Sequence, residues 1–157
     1  MIEKMVERSA FGDQGVRLRQ IVIGEMIPMA RDRDDEGQIA AVYNWVKQNI
    51  RYIEDPVALD LYPTALVTDS LGGGDCDDHV IFICSALAVI GFTTGCRVIR
   101  TDQGDWHIYA LVWMTKAQPR RAVAIDTTWP PSKGPGHEFP AERCRYRKSW
   151  VFNFGGR

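Results

Sequence analysis

The chain has 157 residues, a formal net charge of -1, 45% hydrophobic and 25% charged residues. That length suits one globular domain able to bury a core without disulfide staples, and the charge gives no bulk electrostatic case for nucleic acid or an anionic membrane. Four cysteines with no C-x-x-C pair, behind an N-terminus with no apolar leader, predict free thiols, a reducing compartment and a cytoplasmic setting, with a bridge such as Cys96–Cys144 left open.

In chain order, residues 1–13 read as a loosely tied lead-in. From about 16 to 30, Leu18, Ile21, Val22, Met26 and Met29 recur at helical spacing until Pro28 kinks or stops the run. RDRDDEG (31–37) reads as a solvated connector. A second helix is expected over about 36–50, with Ile39, Tyr43, Val46 and Ile50 on one stripe and Asp34 or Asp35 as cap. Residues 51–70, punctuated by Asp55-Pro56 and Tyr62-Pro63, read as irregular and partly extended.

Leu71-Gly-Gly-Gly-Asp75-Cys76-Asp-Asp-His79 then leads into an apolar run from Val80 to Ile90, ended by Gly91. That run is too short to span a bilayer, so residues 76–90 are expected to form a buried central helix. Extended segments follow at 97–100, 106–114 and 121–128, then a Pro/Gly loop over 129–140. A closing strand is expected at 146–154, with Trp150, Phe152 and Phe154 at period two. Helices first, then a helix leading into an antiparallel sheet, describe an α+β fold. The expected organisation is one domain over 1–157, with a core of about 36–154 and an N-terminal helical extension over 1–35.

Cys76 stands where a glycine-rich loop enters that helix. A helix N-terminus favours the thiolate, and Asp75 is a natural N-cap. Asp77 and Asp78 support the helix start but oppose a thiolate, so a positive partner is required. Cys84, inside the apolar run, reads as packing. Of three histidines, His79 is assigned a first-turn hydrogen-bonding role and His137 a solvated loop position. His107 lies on the alternating strand WHIYALVW. A symmetric hairpin pairing Trp113 with Arg120 would place His107 directly opposite Asp126 on one face. Cys76, His107 and Asp126 are therefore the candidate nucleophile, base and orienter. The backbone N–H of Cys76 is one candidate oxyanion donor, and Trp45, Asn44 and Gln48 are candidates for a second.

These residues carry a resemblance. GDCDDHVIFICSALAVIGFTTGCRVIR, the Trp106-His107 strand, AIDTT around Asp126 and the upstream WVKQNIRYIEDP are similar to the transglutaminase-like superfamily, related in fold to papain-like cysteine proteases. The resemblance covers about residues 39–128. It implies a helix bearing Cys76 packed on an antiparallel sheet bearing His107 and Asp126, with acyl chemistry on protein or peptide amides and no cofactor. Calcium-dependent crosslinking enzymes of the superfamily carry further domains, which argues against that mode here. Small stand-alone members resemble proteins of phage structural gene blocks, so a non-catalytic component of a virus particle is the alternative, with protein assembly partners. Metal binding through Cys76, His79, Cys96, His107 or Cys144 lacks paired ligand spacing. RCRYRK at 143–148 is too short a basic stretch to argue for nucleic acid.

Overall fold

A computed structural model describes residues 1–28, 34–55, 61–114 and 121–154. Its first helix corrects the expected loose lead-in. Ile2, Val6, Ser9 and Ala10 recur at helical spacing, forming α1 (Ile2–Ala10) with Val6, Ser9 and Ala10 buried. The short apolar positions were masked in sequence by the charged residues between them. The Ser9 hydroxyl accepts a hydrogen bond from the Ala65 N–H at 3.0 Å, tying α1 to a distant segment. The expected helix from residue 16 begins earlier, as α2 (Gly12–Ile21), and runs into a single π-helical turn over Val22–Met26. Met29 and most of the charged connector lie outside the described residues. α3 (Asp35–Asn49) starts where Asp34 accepts the Gly37 N–H at 3.0 Å.

The segment expected to be irregular contains more order than its prolines suggested. Strand β1 (Arg51–Tyr52) pairs in parallel with β2 (Gly73–Gly74), and α4 (Ala65–Leu71) lies between them. Thr64 and Pro63 stand just before α4, a position proline tolerates because the first helical N–H groups have no intrahelical partner. The central helix α5 (Cys76–Ala88) has every residue from Asp78 to Leu87 buried. It packs against α1 to α4 on one side and the sheet on the other. Each buried Val, Ile, Leu or Phe contributes about 1.5–3 kcal/mol, so this helix anchors the molecule. Trp45 of α3 stacks on Phe82 with ring centroids 5.5 Å apart.

The sheet is antiparallel with strand order β5-β4-β3-β6, built from β3 (Thr93–Thr101), β4 (Trp106–Trp113), β5 (Ala122–Ile125) and β6 (Cys144–Val151). Alternation along β4 sends Ile108, Ala110 and Val112 to the main core. Tyr109 and Leu111 join Ile99 and Ala124 in a second cluster on the other face. The β4–β5 register differs from the symmetric hairpin: Trp113 pairs with Ala122 and Leu111 with Ala124, two residues away from the expectation. An even shift preserves which face each side chain occupies. The closing strand forms as β6, an edge strand whose Trp150 is half-exposed. Beyond it, Phe152 is buried and Phe154 packs edge-on against Phe11. Among the described residues no helix is long and apolar enough to cross a membrane.

Candidate active site

The glycine run before Cys76 is a structural joint. Gly72 ends α4 in the left-handed conformation, φ 63°, which glycine adopts without strain. A Cβ on Gly74 would stand 2.5 Å from the Asp78 side chain. That side chain is needed where it is. Asp75 caps α5 by accepting the N–H groups of Asp77 (3.1 Å) and Asp78 (3.3 Å), while Asp78 Oδ2 accepts the Asp75 N–H at 3.3 Å. This reciprocal capping box satisfies orphan donors at both ends of the turn. Cys76 is thereby held at the first position of α5, half-buried, with its sulfur at the positive end of the helix. Burial, reinforced by the hydrogen bond and charge of Asp75, pushes the Asp77 carboxyl up to about 8. Burial and the Asp75 charge also push Asp78 up to about 6. The negative charge crowding the thiol is thus smaller at neutral pH than the sequence suggests.

His107, second in β4, and Asp126, just past β5, meet at the end of the sheet where α5 begins. His107 Nε2 lies 2.7 Å from Asp126 Oδ2. Cys76 lines the same cleft as the ring and acts on it through hydrogen bonding and charge. Burial alone would depress the His107 pKa. The hydrogen bonds and charges of Asp126 and Cys76 outweigh it and raise the value to about 9. Burial likewise opposes ionisation of Asp126, yet His107 and Thr128 hold its carboxyl below the usual carboxylate range. Asp126 Oδ1 accepts the Thr128 N–H at 3.1 Å and the Thr128 hydroxyl at 2.7 Å. Both carboxylate oxygens are therefore occupied, so the carboxylate cannot rotate away from the imidazole. The shifted register explains why the pair still meets: His107 reaches Asp126 diagonally, a distance long side chains can bridge.

Sequence reasoning placed several neighbours differently. His79 is buried rather than a plain first-turn residue. Its Nδ1 lies 2.6 Å from Thr127 Oγ1, pinning α5 to the residue after Asp126. Lys47 of α3 donates to the Thr127 and Trp129 carbonyls at 2.7 and 2.9 Å, bracing the same turn from the opposite side. His137 is half-buried, with its ring edge-on to Trp129 at 4.8 Å, so it is only partly solvated. Trp45 is occupied in packing, Asn44 and Gln48 are exposed, and none of the three lines the cleft at Cys76. That cleft, about 310 Å³, is walled by Asp75, Asp77, Tyr62, Trp106, Ile108 and Ile2 together with Cys76 and His107. Thr128, Lys47 and Tyr62 went unnoticed because their roles depend on partners 2, 80 and 14 positions away, and only the shortest of these separations leaves a local pattern.

All four cysteines are free, so Cys96 and Cys144 form no bridge. Cys84 is buried and donates to the Gly95 carbonyl at 3.2 Å, and burial pushes its thiol far up. Cys96 is also buried, with its thiol raised to about 11 by burial and then the Glu3 charge. Ligand atoms of Asp75, Cys76 and Asp77 lie within 4.8 Å of one another.

No family model matches the sequence. No curated protein matches it either. Solved structures do. A provisionally assigned cysteine protease from Cytophaga hutchinsonii superposes with TM-score 0.58 at 13% identity over 88% of this chain. A structure described as a TGase gives TM-score 0.58 at 15% identity over 84% of this chain. The fold is transglutaminase-like. LapG from Legionella pneumophila shares this transglutaminase-like architecture over 96% of the chain. Its EGTA-treated form matches at 19% identity and its calcium-bound form at 20%, both with TM-score 0.58. The chain spans 47% of the C. hutchinsonii structure and 36% of the TGase, but 84% and 87% of the two LapG forms.

Proposed function

We propose that the protein is a cysteine-dependent hydrolase or acyltransferase acting on peptide or protein amides, with Cys76 as nucleophile, His107 as general base and acid, and Asp126 as orienter. The observation that carries this reading is the His107–Asp126 pair, clamped by Thr128 and set in one cleft with Cys76 at the start of α5. His107 takes the thiol proton through Nδ1, and Asp126 stabilises the imidazolium through Nε2. The thiolate attacks the amide carbonyl carbon. The C–N bond breaks as His107 returns the proton to the leaving amine, and a thioester remains on Cys76. Water or an amine, deprotonated by His107, then resolves it. The Cys76 N–H, free of intrahelical bonding at the first position of α5, supports one oxyanion contact.

One LapG structure is described as calcium-bound. In this chain the oxygen donors suited to such an ion are the carboxylates of Asp75 and Asp77, whereas the Cys76 sulfur is a poor calcium ligand. A bound cation would add positive charge beside the thiol. Asp77 would first have to give up the proton it holds below about pH 8.

The test pairs labelling with substitution. Iodoacetamide at neutral pH should modify Cys76 ahead of the buried Cys84. Cys76→Ala should remove all peptide-amide cleavage while leaving the melting temperature within a few degrees, because Cys76 is not part of the core. Preferential labelling of Cys84, or activity surviving in Cys76→Ala, would refute the assignment. A reactive Cys76 that never forms an acyl-enzyme would favour the alternative of a non-catalytic part of a larger assembly.

A further inference from the structure

Three cavities meet at Tyr62. The first is the cleft holding Cys76 and His107. A second, of about 370 Å³, shares Ile2, Val98 and Ile108 with it and extends toward Phe152. The third, about 530 Å³, lies on the other side, between the chain around Ile53 and helix α4, and reaches Gly74 and Asp78 at the root of the nucleophile helix. Cys76 therefore stands along a trough rather than at the bottom of a closed hole.

The third cavity is chemically distinct from ordinary surface. Ile53, Leu61, Val67 and Leu71 line it, and they are 50%, 53%, 45% and 67% exposed. Exposed apolar side chains scattered singly need no explanation, but four gathered in one hollow beside a nucleophile mark a binding surface. Val67 and Leu71 are four residues apart on α4, so they form one outward stripe, while Ala65 and Thr68 of the same helix face the core. The volume falls within the range of roughly 300–1,000 Å³ typical of ligand sites. Among the described residues the carboxyl groups lining it are Asp55 and Asp78, and no basic side chain lines it. An incoming carboxylate would meet like charge and apolar walls.

We propose that the substrate is an extended polypeptide segment that crosses the trough and lays a large apolar side chain into the Ile53–Leu71 cavity, and that this contact selects which amide reaches Cys76. The inference deepens the acyl-transfer reading and rests on it. An open trough suits a chain that enters at one end and leaves at the other. The apolar cavity adjoins the cleft at Tyr62, and its Gly74 directly precedes Asp75 of the cleft, so the selected residue lies within a few positions of the bond attacked. Tyr62 is the specificity-determining side chain common to all three spaces.

The experiment uses the full chain on a peptide library prepared from a digested proteome, with cut sites read by mass spectrometry. Leucine, methionine and phenylalanine should be enriched at one position close to the cut, and aspartate and glutamate depleted there. A matched peptide pair with leucine or alanine at that position should differ at least ~10-fold in kcat/KM. Val67→Glu with Leu71→Glu should bring that ratio toward one, and Leu71→Glu alone, at the more exposed site, should lower it in the same direction. Thermal melting and iodoacetamide labelling of Cys76 certify that each variant is folded. Cleavage without apolar enrichment, or enrichment unchanged in both variants, overturns the inference and leaves the triad reading standing. No cleavage of any peptide by a protein whose Cys76 labels normally overturns the hydrolase reading and the inference together.

Discussion

Replacing Asp126 with asparagine removes one charge while keeping an oxygen that can accept from Thr128. The structure sets the size of the effect. His107 is raised from 6.5 to about 9, chiefly by the bonds and charges of Asp126 and Cys76 acting against burial. If the loss of the carboxylate returns the imidazole to 6.5, the change is about 2.5 units. At 1.36 kcal/mol per unit that is about 3.4 kcal/mol less stabilisation of the imidazolium, which leaves it roughly 300-fold scarcer above pH 9 but only about 4-fold scarcer near pH 7. Burial pushes the ring lower while the Cys76 bond and charge still hold it up, and asparagine no longer fixes the ring's tautomer, which is the larger loss near neutral pH. Amide cleavage by Asp126→Asn should fall by at least ~100-fold near neutral pH, and the basic limb of the wild-type profile, expected near pH 9, should move down.

Stability provides an independent readout of the same charge. The folded His107 value lies above the unfolded one. The pair therefore stabilises the fold fully below pH 6.5, progressively less toward about 9, and not above it. Asp126→Asn should lower the melting temperature by roughly 6–12 °C at pH 6 and by little at pH 10. A variant within ~3-fold of wild-type activity, or a melting difference that does not shrink with rising pH, would refute the reasoning built on this pair.

Gly74→Ala would drive a methyl group into Asp78 and break the capping box. Overpacking together with a lost cap should cost about 2–4 kcal/mol, read as a drop in melting temperature on the order of 5–15 °C. Wild-type stability in that variant would mean the Gly74–Asp78 contact is dispensable.

The elements with a strong local signal were readable without coordinates. The apolar run after Cys76 could only be a buried helix. Asp75 was its expected cap, and alternation in WHIYALVW marked β4. The α1 helix and α4 were not readable, because each is short and owes its order to partners far along the chain, such as the Ser9–Ala65 bond between them. Helices of under three turns are marginal alone and form when tertiary packing covers one face.

The residue types of the site, and the parity that puts His107 and Asp126 on one face of neighbouring strands, were fixed by spacing along the chain. Periodicity is a local property, and one face remains one face under an even shift. The true register, the Thr128 clamp on Asp126, the bracing of its turn by Lys47 and His79, and the trough at Tyr62 were decided by tertiary structure alone. Each depends on how far two elements slide and tilt when their buried side chains interlock, and that is settled by packing in three dimensions, not by any pattern within one segment.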